Sequence, residues 1–255
     1  MPTISRKTAI TTCLSAILFG TAASVFAHTT IQNQISNTST TYNNVVIGHG
    51  CTDASGKTWP IKYQSVLFPT VNPILTEGTE TTTESGLKLA DIITSSTGIA
   101  NIPQLILDKN LFKQQSEKTD ANGNVIGFNG FNGLLDPSLY GLVPFRTGGI
   151  TFVEGAKATN GQCIQKLVVK VAIADICKVK TFPPKEGTAN LWIPNPTSKF
   201  TELLDGMGDG SVRKGSPASL TINNPACTSG QTVTVWPSDQ DIDANLVMKG
   251  WGSKK

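Results

Sequence analysis

The chain has 255 residues and a formal net charge of +3, from 21 lysines and arginines against 18 aspartates and glutamates. Charged residues make up only 15% of the sequence, below the roughly 25% of an average soluble domain. This near-balance excludes a nucleic-acid-binding protein that works through a basic surface. No apolar run beyond the N-terminal segment approaches the roughly 20 residues of a membrane-spanning helix.

Residues 1–27 have the features of a secretory signal peptide. Two basic residues precede an apolar stretch, and Val25-Phe26-Ala27 provides a cleavage site. Cleavage after Ala27 predicts a periplasmic or secreted protein that begins at His28 and has no transmembrane segment. An N-terminal histidine offers a metal ion its free α-amine and its ring Nδ1, and one more histidine would complete the three-nitrogen arrangement called a histidine brace.

Apolar and β-branched runs separated by turn signals fill the rest of the chain and predict an all-β protein. The predicted strands are residues 42–47, 58–68, 149–153, 167–176, 219–223 and 231–236. The last two alternate in polarity as a hairpin would, and Asn122-Gly123 predicts a tight hairpin turn earlier in the chain. We expect an immunoglobulin-like β-sandwich with long loop insertions.

One domain is expected over residues 28–255, with an insertion around residues 76–217 that departs from a compact sandwich. Within it, residues 182–215 carry several prolines and glycines and are predicted to leave the main fold. Asp205 and Asp209 alternate with glycines in a way that faintly resembles a calcium loop, but the EF-hand spacing and terminal glutamate are missing. A solvated turn is therefore predicted there.

Four cysteines lie outside the predicted signal peptide. They are Cys51, Cys163, Cys177 and Cys227. An even number of cysteines in an exported protein favours two disulfides, and three pairings are open. Cys163 and Cys177 flank the most apolar segment, so a bridge between them would require the chain to fold back within it.

His49 is the only other histidine in the chain. It lies in the turn Gly48-His49-Gly50-Cys51, where the flanking glycines would allow the N-terminus to approach closely. One amine and two imidazoles suit copper(II), which binds such nitrogen sites most tightly among the divalent ions. Zinc is less suited because its structural sites use four protein ligands. The alternative is a turn histidine that is exposed to water or bonded to backbone.

The segments around both histidines are similar to a known family. His28-Thr29-Thr30-Ile31, together with the strand that ends in Val46-Ile47-Gly48-His49-Gly50-Cys51, resembles the start of the YcnI-like (DUF1775) exported copper-binding proteins. Near the C-terminus, a cysteine (Cys227), a short turn and a tryptophan on the next strand (Trp236) resemble the corresponding segment of the family more weakly. The resemblance implies a copper cofactor with His28 and His49 as its ligands. It also implies disulfides from Cys51 to Cys227 and from Cys163 to Cys177.

Part of the family pattern does not transfer to this chain. Some members have a glutamate on the first strand and a tryptophan near the metal. Here the corresponding region holds Thr40, Thr41 and Tyr42, with no carboxylate. Trp59 or Trp236 could pack over the metal, although a place in the core is the simpler expectation for both.

The favoured hypothesis is an exported copper-binding protein, not an enzyme, that stores, delivers or senses one copper ion, with a copper transporter or chaperone as its partner. One alternative is a copper oxidase of the polysaccharide monooxygenase type, in which Tyr42 would be the axial residue. Another is a structural or adhesive β protein in which His28 is incidental. A Ser-His-Asp hydrolase is disfavoured because both histidines belong to the brace.

Overall fold

The computed structural model describes residues 28–32, 35–36 and 39–253 of the chain. The predicted signal peptide, residues 1–27, lies outside the described residues. Within them, no helix is long and apolar enough to cross a membrane. The strands are β1 (Thr30–Ile31), β2 (Ile35–Ser36), β3 (Thr41–Ile47), β4 (Cys51–Thr52), β5 (Thr58–Trp59), β6 (Tyr63–Leu67), β7 (Ile74–Glu77), β8 (Pro103–Leu105), β9 (Phe112–Thr119), β10 (Val125–Gly133), β11 (Gly141–Thr147), β12 (Ile164–Ile176), β13 (Ala189–Trp192), β14 (Ala218–Asn223) and β15 (Gln231–Trp236). The helical elements are a 3-10 turn at Leu89–Asp91, a short α-helix at Asp239–Asp241 and a π-helical turn at Ile242–Leu246.

Two main sheets pack face to face and confirm the predicted all-β sandwich. The smaller sheet has the order β1-β3-β11-β8, and the larger follows β2-β14-β12-β6-β10-β9 with further strands beside β12. Phe145 of the smaller sheet contacts Phe68 and Phe128 of the larger, with ring centroids 6.0 and 5.6 Å apart. A second apolar cluster, which includes Leu67, Leu191 and the C-terminal Trp251, covers other side chains of the larger sheet.

Strand β12 is the centre of the larger sheet. Its first part pairs with β14 on one edge and, in parallel, with β15 on the other. Its last part pairs with β6 and β13. The strand is buried along most of its length, as its continuous apolar sequence predicts. The predicted hairpin of residues 219–223 with 231–236 is wrong, because β12 lies between β14 and β15.

The expected insertion over residues 76–217 is part of this framework. It contributes β12 itself, and the supposed excursion of residues 182–215 contains β13, all four residues of which are buried. The prolines and glycines of this segment form the turns on either side of a short buried strand. Composition alone cannot distinguish such a segment from a loop. The predicted strand 58–68 is likewise divided into β5 and β6, next to Pro60, which has no amide hydrogen to donate.

All four cysteines outside residues 1–27 form disulfides, as expected, but the pairing implied by the family resemblance is wrong. The bridges are Cys51–Cys177 and Cys163–Cys227, each with Cα atoms 6.2 Å apart. Cys163 and Cys177 flank the two ends of the 13-residue β12. The strand does not fold back, so they are separated by roughly 45 Å of extended chain.

Disulfide mapping tests this pairing directly. We expect proteolysis without reduction to release peptides that join Cys51 to Cys177 and Cys163 to Cys227, as read by mass spectrometry. Replacing Cys51 and Cys177 together by alanine should lower the free energy of unfolding by about 2–5 kcal/mol, because the bridge closes a long loop. A peptide that joins Cys51 to Cys227 would contradict the topology described here.

Candidate metal centre

Strand pairing brings the two histidines to the same end of the smaller sheet. β1 runs antiparallel to β3, with Thr30 opposite Val46 and Ile31 opposite Val45. Continued by two residues, this register sets His28 opposite Gly48, the neighbour of His49. The confirmed strand over residues 42–47 therefore ends in a turn that meets the beginning of the described chain.

Trp192 of β13 lies against both imidazoles. Its ring centroid is 5.2 Å from that of His28 and 5.9 Å from that of His49, and both contacts are edge-on. The indole is completely buried and belongs to the larger sheet. One side chain from the opposite layer of the sandwich thus supports both predicted ligands.

The two tryptophans suggested from the sequence do not take this place. The Trp59 ring lies beneath the ammonium groups of Lys57 and Lys178, at 4.1 and 3.9 Å. Trp236 is buried, and its Nε1 donates to Thr76 at 3.0 Å. Trp192 was missed because it lies in the segment predicted to leave the fold. The apolar run Leu191-Trp192-Ile193 was the available signal for a buried strand.

A buried carboxylate, Asp175 near the end of β12, fixes the tryptophan and the N-terminal segment together. Its Oδ2 accepts hydrogen bonds from the Thr29 hydroxyl and from Trp192 Nε1, both at 2.6 Å. Its Oδ1 accepts from the Gln64 amide at 2.8 Å. Burial raises the pKa of the Asp175 carboxyl above its ordinary value, and the three hydrogen bonds oppose that rise. The residue beside His28 is therefore anchored to the opposite sheet.

The backbone around His49 fixes its ring nitrogens. Nδ1 lies 2.6 Å from the Gly50 carbonyl oxygen, which can only accept, so Nδ1 carries the proton in this contact. The same oxygen accepts from the Asn190 amide at 3.1 Å. Gly50 is required here because a Cβ would lie 2.1 Å from the Trp59 carbonyl oxygen. When the ring is neutral, its lone pair is on Nε2, the nitrogen that a metal would bind.

His49 Nε2 is buried and has no hydrogen-bond partner. It lies 3.5 Å from Oδ2 of Asp205. The solvated turn predicted at Asp205 is present, since the residue lies in an exposed turn of the loop after β13. That loop also brings its carboxylate beside the second histidine. No local motif signals this contact, since it joins residues far apart in the chain.

Residues 28–32, 35–36 and 39–253 contain no cluster of three or more His, Cys, Asp or Glu side chains arranged to hold a metal ion. A three-nitrogen site at His28 and His49 therefore needs the α-amine that cleavage after Ala27 would create. Tyr42 lies near the opposite end of β3 from His49 and is 68% exposed. With five residue steps between Tyr42 and Ile47, roughly 16 Å of strand separates it from the turn that carries His49.

Comparison of the chain with protein-family models, with curated proteins and with solved structures found no match. The resemblance to the YcnI-like proteins therefore stays a prediction.

The Thr29–Asp175 hydrogen bond can be tested by Thr29→Val, which removes the hydroxyl and keeps the shape. We expect the free energy of unfolding to fall by about 1.5–3 kcal/mol, because a buried carboxylate loses a donor. Chemical denaturation measures the change. The matched control is Thr30→Val, at the exposed neighbouring position, which should change stability by no more than about 0.5 kcal/mol. Equal effects of the two substitutions would contradict the anchoring role of Asp175.

Proposed function

We propose that the protein is an exported copper-binding protein that holds one copper ion through the His28 imidazole, the His49 imidazole and the α-amine created by cleavage after Ala27. The observation that carries this proposal is the contact of both histidine rings with the single indole of Trp192. These are the only two histidines of the chain, and they come from segments that the sheet register brings side by side.

The state of His49 supports metal binding. Its Nδ1 donates a hydrogen bond to the Gly50 carbonyl oxygen, and its Nε2 is buried without a hydrogen-bond partner. Metal-bound histidines commonly donate their second ring nitrogen to a carbonyl or carboxylate in this way, which sets the ring orientation. The anchoring of Thr29 to Asp175 limits the movement of His28, so less freedom is lost when the metal binds.

The donor set suits copper(II) best. An amine and two imidazoles are borderline nitrogen ligands, and copper(II) ranks highest in affinity for them among the first-row divalent ions. When bound, copper would supply a one-electron redox centre. Because these ligands bind only without their protons, copper affinity should fall as the pH is lowered. Two disulfides fit an oxidising compartment such as the periplasm or the extracellular space.

Binding is favoured over oxidation because the oxidase hypothesis relied on Tyr42 as an axial residue. That side chain belongs to the other end of β3. Storage, delivery or sensing of copper, with a transporter or chaperone as partner, needs no such residue.

A single glycine added before His28 provides the sharpest test of the proposed ligand set. The extended protein keeps both imidazoles but moves the amine, so copper(II) affinity should fall by at least about 100-fold, or roughly 2.8 kcal/mol. His49→Ala should weaken binding comparably because it removes the second imidazole. Competition titrations measure both effects on protein whose intact mass shows that it begins as intended.

Thermal unfolding of the metal-free variants provides the control for folding. The added glycine extends the chain terminus, so the metal-free extended protein should unfold at the same temperature as the unextended one. Unchanged copper affinity in the extended protein would refute the brace.

A further inference from the structure

A cleft lined by three lysines lies where β6 begins and β12 ends. Lys62, Lys178 and Lys180 line this lysine cleft together with Tyr63, and no carboxylate lines it. None of the three ammonium groups forms an ion pair with a carboxylate of the described residues. Lys62 and Lys180 are exposed, and the Lys178 ammonium lies over the Trp59 ring. In a chain whose charges are nearly balanced, this local excess of positive charge attracts an anionic partner.

A loop with three exposed apolar side chains connects β10 of the larger sheet to β11 of the smaller one. In this apolar loop, residues 134–140, the side chains of Leu134, Leu139 and Tyr140 are 73%, 58% and 67% exposed. A group of large apolar side chains that stay in water on one loop marks a surface that contacts another molecule.

Backbone hydrogen bonds join the apolar loop to the lysine cleft. The Gly133 amide, at the end of β10, donates to the carbonyl oxygen of Lys62 at 2.8 Å. The Leu135 amide donates to the carbonyl oxygen of Ile61 at 3.2 Å. The positive charges and the exposed leucines therefore belong to one continuous surface at the end of the sandwich.

The apolar loop is held in one conformation before any partner arrives. Asp136 Oδ1 accepts hydrogen bonds from the amide and the hydroxyl of Ser138, at 2.9 and 2.6 Å. The Leu139 amide donates to the Asp136 carbonyl oxygen at 3.0 Å, and Leu135 is buried beneath the loop. The one carboxylate of the loop is thus used within its own turn, and little conformational entropy is lost when the surface binds.

We propose that this end of the sandwich binds the surface of a membrane that contains anionic phospholipids. The leucines would enter the boundary between headgroups and acyl chains, with the Tyr140 hydroxyl at headgroup level. The lysines would lie against the lipid phosphates, where each contributes about fivefold to affinity. A soluble anion would satisfy the lysines and leave the leucines in water, so a membrane fits both parts of the surface. This inference is independent of copper binding.

Sedimentation with vesicles tests the proposal on exported protein whose intact mass shows that residues 1–27 are absent. One set of vesicles contains equal parts of phosphatidylglycerol and phosphatidylcholine, and the other contains phosphatidylcholine alone. We expect the protein to sediment with the first set and at least about tenfold more weakly with the second. Binding should also weaken in about 0.5 M salt, which screens the lysines.

Leu134→Ser tests the apolar loop. We expect vesicle affinity to fall about tenfold, because a leucine side chain no longer leaves water on binding. Leu139→Ser should act similarly and is the second variant if the first fails to fold. The matched control is Leu203→Ser. Leu203 is 57% exposed but lies in a cleft with Glu202 and Asp205, so its loss should change affinity less than about twofold.

Replacing Lys62 and Lys180 together by glutamine tests the lysine cleft, and affinity should fall about 25-fold. The control is the same double replacement at Lys157 and Lys166, which lie near the opposite end of β12. The control has the same net charge but lacks no lysine of the cleft, so it should bind within about threefold of the unaltered protein.

Several outcomes would overturn the proposal. The protein would not be a membrane-binding protein of this kind if it sedimented with neither set of vesicles. Equal binding to both sets, or equal losses in the two double lysine variants, would remove the role of the cleft. Binding that is unchanged by Leu134→Ser and Leu139→Ser but abolished by inorganic phosphate would show that the cleft takes soluble anions.

Discussion

The site depends on one buried carboxylate. Asp175 is completely buried at the end of the central strand, where an ionised group is stable only when its oxygens accept hydrogen bonds. Its three donors come from the N-terminal segment, from β6 and from β13. Satisfying this one group therefore fixes the chain beside His28 and sets the position of the Trp192 indole.

A disulfide and a hydrogen bond hold the turn that carries His49 against the larger sheet. The Cys51–Cys177 bridge ties the turn after His49 to the residue that follows β12, while Asn190 holds the Gly50 carbonyl oxygen. Cys163–Cys227 fixes the opposite end of β12. Gly206 then allows the loop of Asp205 to lie directly on Trp192. The histidines, the carboxylate and the indole thus share a frame built from both sheets, which suits the pre-formed metal site that we propose.

Local patterns account for what could be predicted from the sequence. The continuous apolar run of β12, the alternation in β3 and the Asn122-Gly123 turn each reflect short-range physics, and all three are present in the structure. Trp192 and Asp175 were missed because their roles come from contacts across the sheets. The disulfide pairing was wrong for the same reason: spacing along the chain does not reveal that β12 runs straight between two of the cysteines. The sequences of β14 and β15 alternate in polarity as two paired strands would. Only the full topology shows that they pair with β12, which lies between them, and not with each other.

Pulsed electron paramagnetic resonance can establish whether both histidines bind the same copper ion. In copper(II)-loaded protein that begins at His28, the modulation from remote imidazole nitrogens reports how many histidines are bound. We expect two imidazoles on one copper ion, and one after His49→Ala. Modulation from a single imidazole in the unaltered protein, or from none, would contradict it.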